Sequence, residues 1–442
     1  MKMKTICAKK TFCFTLIFGL AINCIGATHY VSTNGAGQSP YTNWANAATN
    51  LQDAVNVART NAAPRTVWVS NGTYYLANQV TVDSTVTVAS VNGRDVTIVD
   101  GNYPNVTNRC FNLSKEAILD GFTVRNGCAL SSGGGGIYGN NAGTRVQNCR
   151  IIANIATNQG VWGGGVCLNY ASISNCEVFG NTGTGEGGGG IYVYSTAATT
   201  ALVSNCIIAS NMVTGTNSSR EIRGGGIYAD GNGVVIKDCI IYANSNYTAG
   251  YTYCYGGGVT LAGNALLRDS IVYGNYARYG GGIYQYVISC RIQNSTVVSN
   301  SCATSGGGIY LNNPTLSTAY LENVISYFNT GSSSSNIAFT VSNTGVFYIV
   351  NSCIAPTNGF PTSGVVGFFY ANNIQSDPQF IGKDSNDFHL SRNSPCINAG
   401  TNQDWMNGAL DLGGHSRIDR FSGIVDMGCY EYLPQGTMYS VP

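Results

Sequence analysis

The chain has 442 residues, a formal net charge of +1 and only 10% charged side chains, against 57 glycines and 28 tyrosines. Beyond the first 27 residues only Lys115, Lys237 and Lys383 carry an ammonium group. With so few cations, nucleic acid is excluded as an expected partner, and nothing steers the chain to anionic membranes. The 44% hydrophobic content falls in regular columns, so the Gly-, Ser-, Thr- and Asn-rich composition reads as an ordered repeat array, not as disorder.

Residues 1–27 read as a secretory signal. Lys2, Lys4, Lys9 and Lys10 form a basic start, Thr11 to Ile22 a short apolar run, and Ile25-Gly26-Ala27 a cleavage site. The run is shorter than the roughly 18 apolar residues of a membrane span, and no transmembrane segment is expected. Cys24 follows Asn23, a poor fit for lipoprotein processing. A secreted or cell-surface bacterial protein is expected, most simply a monomer. Residues 28–64 are predicted to form an N-terminal cap. His29–Ser32 starts it as a short strand, and Thr49 to Thr60 read as an amphipathic helix with Leu51, Ala54, Val55 and Ala58 on one face. Thr49 and Gln52 are predicted to make its capping box. Val67–Val69, Gln79–Val88 and Asp95–Val99 alternate as strands, with turns at Asn71-Gly72 and Asn92-Gly93.

Over residues 65–370 two phrases alternate. Gly-Gly-Gly followed by Ile or Val starts at Gly134, Gly163, Gly188, Gly224, Gly256, Gly280 and Gly306. Between the copies runs Asn or Asp, a small residue, two mostly apolar positions, two variable ones and Asn, from Asn148–Asn154 to Asn323–Asn329. Val146, Ile173, Val203, Ile236, Leu267, Ile292 and Leu321 form one apolar column, with Ile118 and Ile349 expected at its ends. Ile151, Val178, Ile208, Ile241, Val272 and Val297 form another. Such columns suit parallel strands stacked one coil on the next. The fold expected is all-β, a right-handed single-stranded parallel β-helix of about three strands per coil. A propeller would show blades of roughly 40–45 residues and a Trp-Asp signature, and the chain has neither.

The glycine phrase lacks the following Gly-Lys-Ser/Thr of a phosphate-binding loop and reads as a recurring corner. Cys149, Cys176, Cys206 and Cys239 follow the first Asn or Asp of consecutive units, continued by Ser270 and Ser295 and then Val324. They are read either as an inward ladder of small thiols or as partly cross-linked neighbours, because adjacent coils are close enough for disulfides. No metal site is expected, since Cys-x-x-Cys pairs are absent and there are only three histidines.

The longest insertions, Met212–Arg223 and Ser245–Tyr255, follow equivalent asparagines and should emerge on one side. They carry Arg220, Glu221, Arg223, Tyr247, Tyr251, Tyr253 and Tyr255, and Tyr273, Tyr276 and Tyr279 follow in the next unit. These are candidate contacts for a polysaccharide or cell-surface glycan, the rings stacking on sugars. The simpler alternative is that the rings pack on one another. A catalytic reading rests on Asp238 and Asp269 in adjacent units, with Lys237 and Arg268 just before them. A lyase would need acidic calcium ligands and a basic side chain to take a proton. Both Asp residues stand in the bend-forming column, however. No cofactor is expected, apart from calcium if the chain is a lyase. Residues 371–434 change character and gather acidic side chains, as a separate module or end cap, with 435–442 as a tail.

The two phrases resemble the Gly-Gly-Ala-Ile and Phe-x-x-Asn repeats of chlamydial polymorphic outer-membrane proteins, with Gly for Ala and Ile or Val for Phe. More broadly the chain resembles secreted bacterial β-helix repeat proteins of the pectin-lyase fold, with Tyr30-Val31-Ser32, Trp44 and Leu51-Gln52-Asp53-Ala54 as the shared opening. The end resembles a choice-of-anchor Q domain. That likeness is carried by Ser376–Phe380, Asp387–Leu390, Ser394–Gly400, Asp411–Arg417 and Val425–Glu431. Asn398 stands where Asp is usual and Cys429 where Ala is usual, and no sorting signal follows Tyr432. The best-known members of the pectin-lyase fold cleave acidic polysaccharides. The Asn-Thr-Asp, Asp-Asp and Gly-His-Gly segments of polygalacturonases are absent, and Gly414–Asp419 echoes only a fragment, expected to lie away from the coils. The favoured expectation is a non-catalytic scaffold presenting glycan-binding loops, with an atypical polysaccharide lyase or hydrolase as its rival.

Overall fold

The computed structural model describes residues 26–434 except 159, 216–219, 251–252, 287–288, 313–317, 341–344 and 356–366. The expected signal up to residue 25, Tyr251 and the tail 435–442 lie outside the described residues. The chain winds as a right-handed parallel β-helix whose coils build four sheets of 13, 11, 10 and 10 strands. In one coil the first face is Arg145–Gln147, the second Arg150–Ile152, the third Ile155–Ala156 and the fourth Val166–Asn169. The short third-face strand is a fourth segment where three were predicted. Among the described residues no helix is long and apolar enough to cross a membrane.

The first apolar column is in register from Val146 through Leu321 to Ile349. At its other end Leu119, not Ile118, pairs with Val146. Alternate residues of a strand face opposite sides, so that one-residue difference turns Ile118 away from the core. The predicted strand Gln79–Val88 divides into Val80–Val82 on the fourth face and Thr87–Ser90 on the first, because the coil turns a corner between them. Gly72, expected in a turn, opens the strand Gly72–Tyr75.

The two asparagines of the repeat do different work. The first, at Asn148, Asn175, Asn205, Asp238, Asp269, Asn294 and Asn323, has φ between 41° and 58° and makes the bend between the first and second faces. The last is buried and forms a ladder. Asn211 N–H and Nδ2 both donate to Asn244 Oδ1 at 3.0 Å, and Asn244 N–H and Nδ2 donate to Asn275 Oδ1 at 2.9 and 3.0 Å. The glycine phrase is a corner of close backbone approach. Gly188 has φ +70°, and a Cβ on Gly189 would stand 2.4 Å from Gly225 O.

Cys149, Cys176, Cys206 and Cys239 are buried free thiols. Each donates to the carbonyl two residues earlier at 3.1 Å, as Ser270 and Ser295 do with their hydroxyls at 2.7 and 2.8 Å. Their sulfur or oxygen also accepts from the coil before, as with Cys149 N–H to Cys176 Sγ at 3.3 Å and Cys239 N–H to Ser270 Oγ at 3.1 Å. The column therefore asks for a small side chain that both donates and accepts. Cys and Ser supply it equally; Val324 cannot, and there Ser352 accepts the backbone N–H at 3.0 Å.

The α-helix Leu51–Ala58 buries Leu51, Ala54, Val55 and Ala58 against the first coils. Its cap differs from the predicted Thr49–Gln52 box: Asn50 Oδ1 accepts from Asp53 N–H at 2.9 Å. Gln52 is free for another task. Its amide donates to Thr81 O at 3.2 Å and accepts from Thr81 N–H at 2.7 Å, satisfying the edge strand of the fourth face.

The acidic C-terminal segment lies along the second face instead of stacking on the last coil. Outward positions of that face are charged at Arg150 and Glu177 but apolar at Ile240, Ile271, Ile325 and Cys353, interrupted by Thr296, whose hydroxyl accepts from Cys429 N–H at 3.2 Å. Phe388, Leu390, Cys396, Met427 and Cys429 pack over that apolar strip. Asn323 pins the segment with both halves of its amide, accepting from Thr401 N–H at 2.8 Å and donating to Thr401 O at 3.0 Å.

Candidate functional site

Lys237 and Arg268 are register partners in adjacent coils of the first face. Asp238 and Asp269 follow at the bend, with φ 55° and 48°, so the backbone corner accounts for both positions. Lys237 Nζ pairs with Asp238 at 3.0 Å. Asp269 is committed elsewhere. One of its oxygens accepts from Arg417 Nε at 3.0 Å and from a terminal guanidinium nitrogen at 2.6 Å. The other terminal nitrogen of Arg417 donates to Glu431 at 2.7 Å. Arg417 is completely buried. The segment 414–419 therefore does not lie away from the coils, as the sequence suggested. It inserts its arginine at one of the two coils that hold the candidate carboxylates.

Burial raises the pKa of Asp269, and Arg417 pulls it back. Burial also pushes the Glu431 carboxyl up to about 8, again opposed by Arg417. Nearby Asp411 and Asp426 accept backbone N–H groups of Glu431, His415, Asn398 and Tyr432 at 2.6–2.7 Å. The C-terminal acids are thus used as fasteners. Arg268 lies over the Trp405 ring at 4.4 Å, and Trp405 Nε1 donates to Gln403 at 2.6 Å. Between the coils and the segment a cleft of about 540 Å³ remains, lined by Lys237, Asp238, Arg268, Trp405, Leu410 and Gly414.

As placed, the carboxylate pair does not fit a calcium ion. A calcium site needs several oxygens free to converge, and the Asp269 oxygen facing Arg417 already receives two N–H bonds. Among the described residues no group of three or more His, Cys, Asp or Glu is placed to hold a metal.

The insertions do emerge side by side. Met212–Val213 pairs with Ser245–Asn246, and Ile222–Arg223 pairs with Cys254–Tyr255. Their charges are internally matched: Arg220 pairs with Glu186, and Arg223 with Glu221. Arg223 also lies over Tyr286 at 4.3 Å and Tyr228 at 5.8 Å. The tyrosines make two layers. An inner column on the fourth face, Tyr192, Tyr228, Tyr284 and Tyr310, is covered by an outer set. Trp162 stacks on Tyr192 at 5.2 Å, Tyr255 on Tyr284 at 4.4 Å, and Tyr279 meets Tyr310 edge-on at 5.7 Å. Tyr276 leans on Tyr247 at 5.3 Å and Tyr253 on Tyr255 at 6.5 Å. Tyr247 and Tyr253 stand out into solvent, 38% and 42% exposed. Tyr273 belongs elsewhere, on the second face between Tyr242 and Phe388.

Three members of this wall were outside the predicted set. Asp230 accepts from Tyr192 Oη at 3.2 Å, and its pKa is raised by burial. Tyr286 and Trp162 complete the rim. Tyrosine stands two places after five of the seven glycine corners, at Tyr138, Tyr192, Tyr228, Tyr284 and Tyr310, but the outer partners come from loops of unequal length.

No family model matches the chain, and no curated protein matches it. Solved structures do. The crystal structure of the pectate lyase Pel9A superposes with a TM-score of 0.58 at 17% identity, over 92% of this chain and 96% of that one. The complex of XylC with xylose gives a TM-score of 0.45 at 9% identity, over 80% and 87%. The catalytic domain of a GH87 α-1,3-glucanase gives 0.42 at 13% identity, over 73% and 67%. Of these three only Pel9A exceeds a TM-score of 0.5, and at 17% identity it shows that the chain shares the pectate-lyase type of parallel β-helix.

Proposed function

We propose that this chain is an exported, non-catalytic β-helix that binds a polysaccharide or cell-surface glycan against its tyrosine-walled side. The observation that carries the reading is the two-layer ring stack. Tyr255, stacked on the buried Tyr284, backs Tyr253, and Tyr276 backs Tyr247, so Tyr247 and Tyr253 reach solvent with less entropy cost than free loop side chains. Aromatic faces and phenol hydroxyls on one wall suit the C–H faces and hydroxyls of sugars. The fold shared with a pectate lyase supports a polymeric carbohydrate as the partner. The resemblance of residues 371–434 to an anchor module, with the signal-like residues 1–27, supports a place at the cell surface.

Glycan-array screening followed by calorimetric titration tests this. Replacing Tyr247 and Tyr253 together by Ala is expected to weaken binding roughly 5- to 150-fold, which corresponds to about 1–3 kcal/mol for losing stacked rings. Unchanged affinity in that double variant would sink the platform.

A second reading, an atypical polysaccharide lyase or hydrolase, is favoured by the cleft beside Lys237, Asp238 and Arg268. Against it stands the commitment of Asp269 to Arg417. A lyase would raise ultraviolet absorbance on uronate polymers and lose that activity in Asp238→Ala. A panel of polymers left uncut excludes it.

A further inference from the structure

Cys353 and Cys396 sit at a place in the molecule unlike that of the thiol column. Cys353 ends the outward column of the second face, and its strand Cys353–Ile354 is the last of that sheet. Cys396 lies in the C-terminal segment. Both are completely buried and, like the column cysteines, free thiols in this structure, in one apolar cluster with Ile325, Leu390 and Met427. Neighbouring contacts hold the two segments together there. Cys353 pairs with Ile374, its sulfur lies 3.3 Å from Ser376 O, and Ser394 Oγ donates to Pro378 O at 2.5 Å. The Cys353 thiol is pushed up, first by the Cys396 thiol beside it and then by its burial.

We propose that Cys353 and Cys396 form a disulfide that ties the C-terminal segment to the side of the β-helix. The column thiols do not need this chemistry. Ser270, Ser295 and Ser352 replace sulfur at their positions and make the same bonds to the carbonyls two residues earlier. Cys353 and Cys396 come from two different segments into one buried cluster, between an outward strand position and the segment that covers it. A covalent bond there does what a core thiol does not: it prevents the segment from lifting off the apolar strip.

The oxidant is a disulfide, such as oxidised glutathione. The thiolate of one cysteine attacks a glutathione sulfur, giving a protein–glutathione mixed disulfide and one glutathione thiolate. The second cysteine's thiolate then attacks the protein sulfur of that mixed disulfide. The Cys353–Cys396 bond forms, a second glutathione thiolate leaves, and the two thiol protons end on the two glutathiones. Because both sulfurs are inaccessible once packed, the exchange takes place before the segment seats.

Peptide mapping of the full chain decides this. The protein is refolded with reduced and oxidised glutathione, its free thiols are alkylated in denaturant without reductant, and it is digested and analysed by mass spectrometry. The expected result is a linked peptide pair through Cys353 and Cys396, with Cys149, Cys176, Cys206 and Cys239 alkylated. Alkyl groups on both Cys353 and Cys396, or either one linked to a different cysteine, would overturn the proposal. In a second measurement, dithiothreitol should lower the melting temperature of the wild-type chain by several degrees and leave a Cys353→Ser, Cys396→Ser variant unmoved. Equal shifts in the two proteins would count against it.

Discussion

Arg417 donates two hydrogen bonds to one oxygen of Asp269, 148 residues away in the chain, at 3.0 and 2.6 Å. A carboxylate that the sequence offered as a catalytic candidate is therefore half of a buried clamp, with Glu431 as the other acceptor. Arg417→Met takes the cation from Glu431 and leaves Asp269 with Arg268 alone, at 3.7 Å, and removing one member of such a buried pair costs about 3–5 kcal/mol. The midpoint of urea unfolding should fall, and proteases should cut within residues 371–434 before the coils. An unchanged midpoint together with an intact segment would refute the clamp.

Stability should decline as pH rises from about 5 to 8. The folded Glu431 carboxyl titrates at about 8, above its ordinary value of 4.5, because it is buried. Between those values the folded state holds more protons than the unfolded one, so raising pH favours unfolding. Asp269 and Asp426, also raised by burial, act in the same direction. A loss on the order of 2 kcal/mol over that window is expected. Glu431→Gln, melted at the same pH values, should flatten the slope; an equally steep slope would exclude Glu431 as its source.

The asparagine ladder is the interior's polar spine. Asn244→Ala removes the acceptor of Asn211 N–H, one of the two acceptors of Asn211 Nδ2, and the side-chain donor to Ile208 O. Several lost bonds among buried groups should cost about 2–4 kcal/mol. Calorimetric melting of the variant measures it, and a change under about 0.5 kcal/mol would place the ladder's worth elsewhere.

For the thiol column the test is chemical identity. Cys206→Ser keeps a group that can donate to Ser204 O, as the thiol does at 3.1 Å, and should change stability by less than about 1 kcal/mol. Cys206→Val fits the volume but neither donates nor accepts, and should cost about 1–3 kcal/mol. If the valine variant is the more stable of the two, the column is apolar packing alone.

Gln52→Ala uncovers both backbone groups of Thr81 at the sheet edge. A loss of about 1–2 kcal/mol is expected, with concentration-dependent association as the bare edge finds partners. Light scattering that stays flat with concentration would show that the helix alone protects this edge.

Several features were legible in the sequence because they repeat. A residue type recurring once per coil leaves a trace at fixed spacing, and stacking converts spacing directly into contact. The column from Val146 to Ile349, the glycine corners and the two asparagines are of this kind. The tyrosines of the insertions carry no such period; the stacks of Tyr255 on Tyr284 and Tyr279 on Tyr310 show rings packing on one another, the simpler of the two readings. Ile118 was misplaced because neighbouring apolar residues, Ile118 and Leu119, compete for one slot of a column that runs on to Val88 and Val67.

What repetition does not encode, only the tertiary structure decided. The C-terminal segment meets the coils once, so Arg417, Asp269 and Glu431 carry no periodic mark, and their pairing depends on where the segment lies. One trace was present: outward positions of the second face turn from Arg150 and Glu177 to Ile240, Ile271 and Ile325, which would leave an apolar strip in water unless something covered it. A strip of that kind predicts a cover but not its identity, because burial is non-directional. The hydrogen bonds and ion pairs that select one docked position are directional, and they form only between residues already brought together.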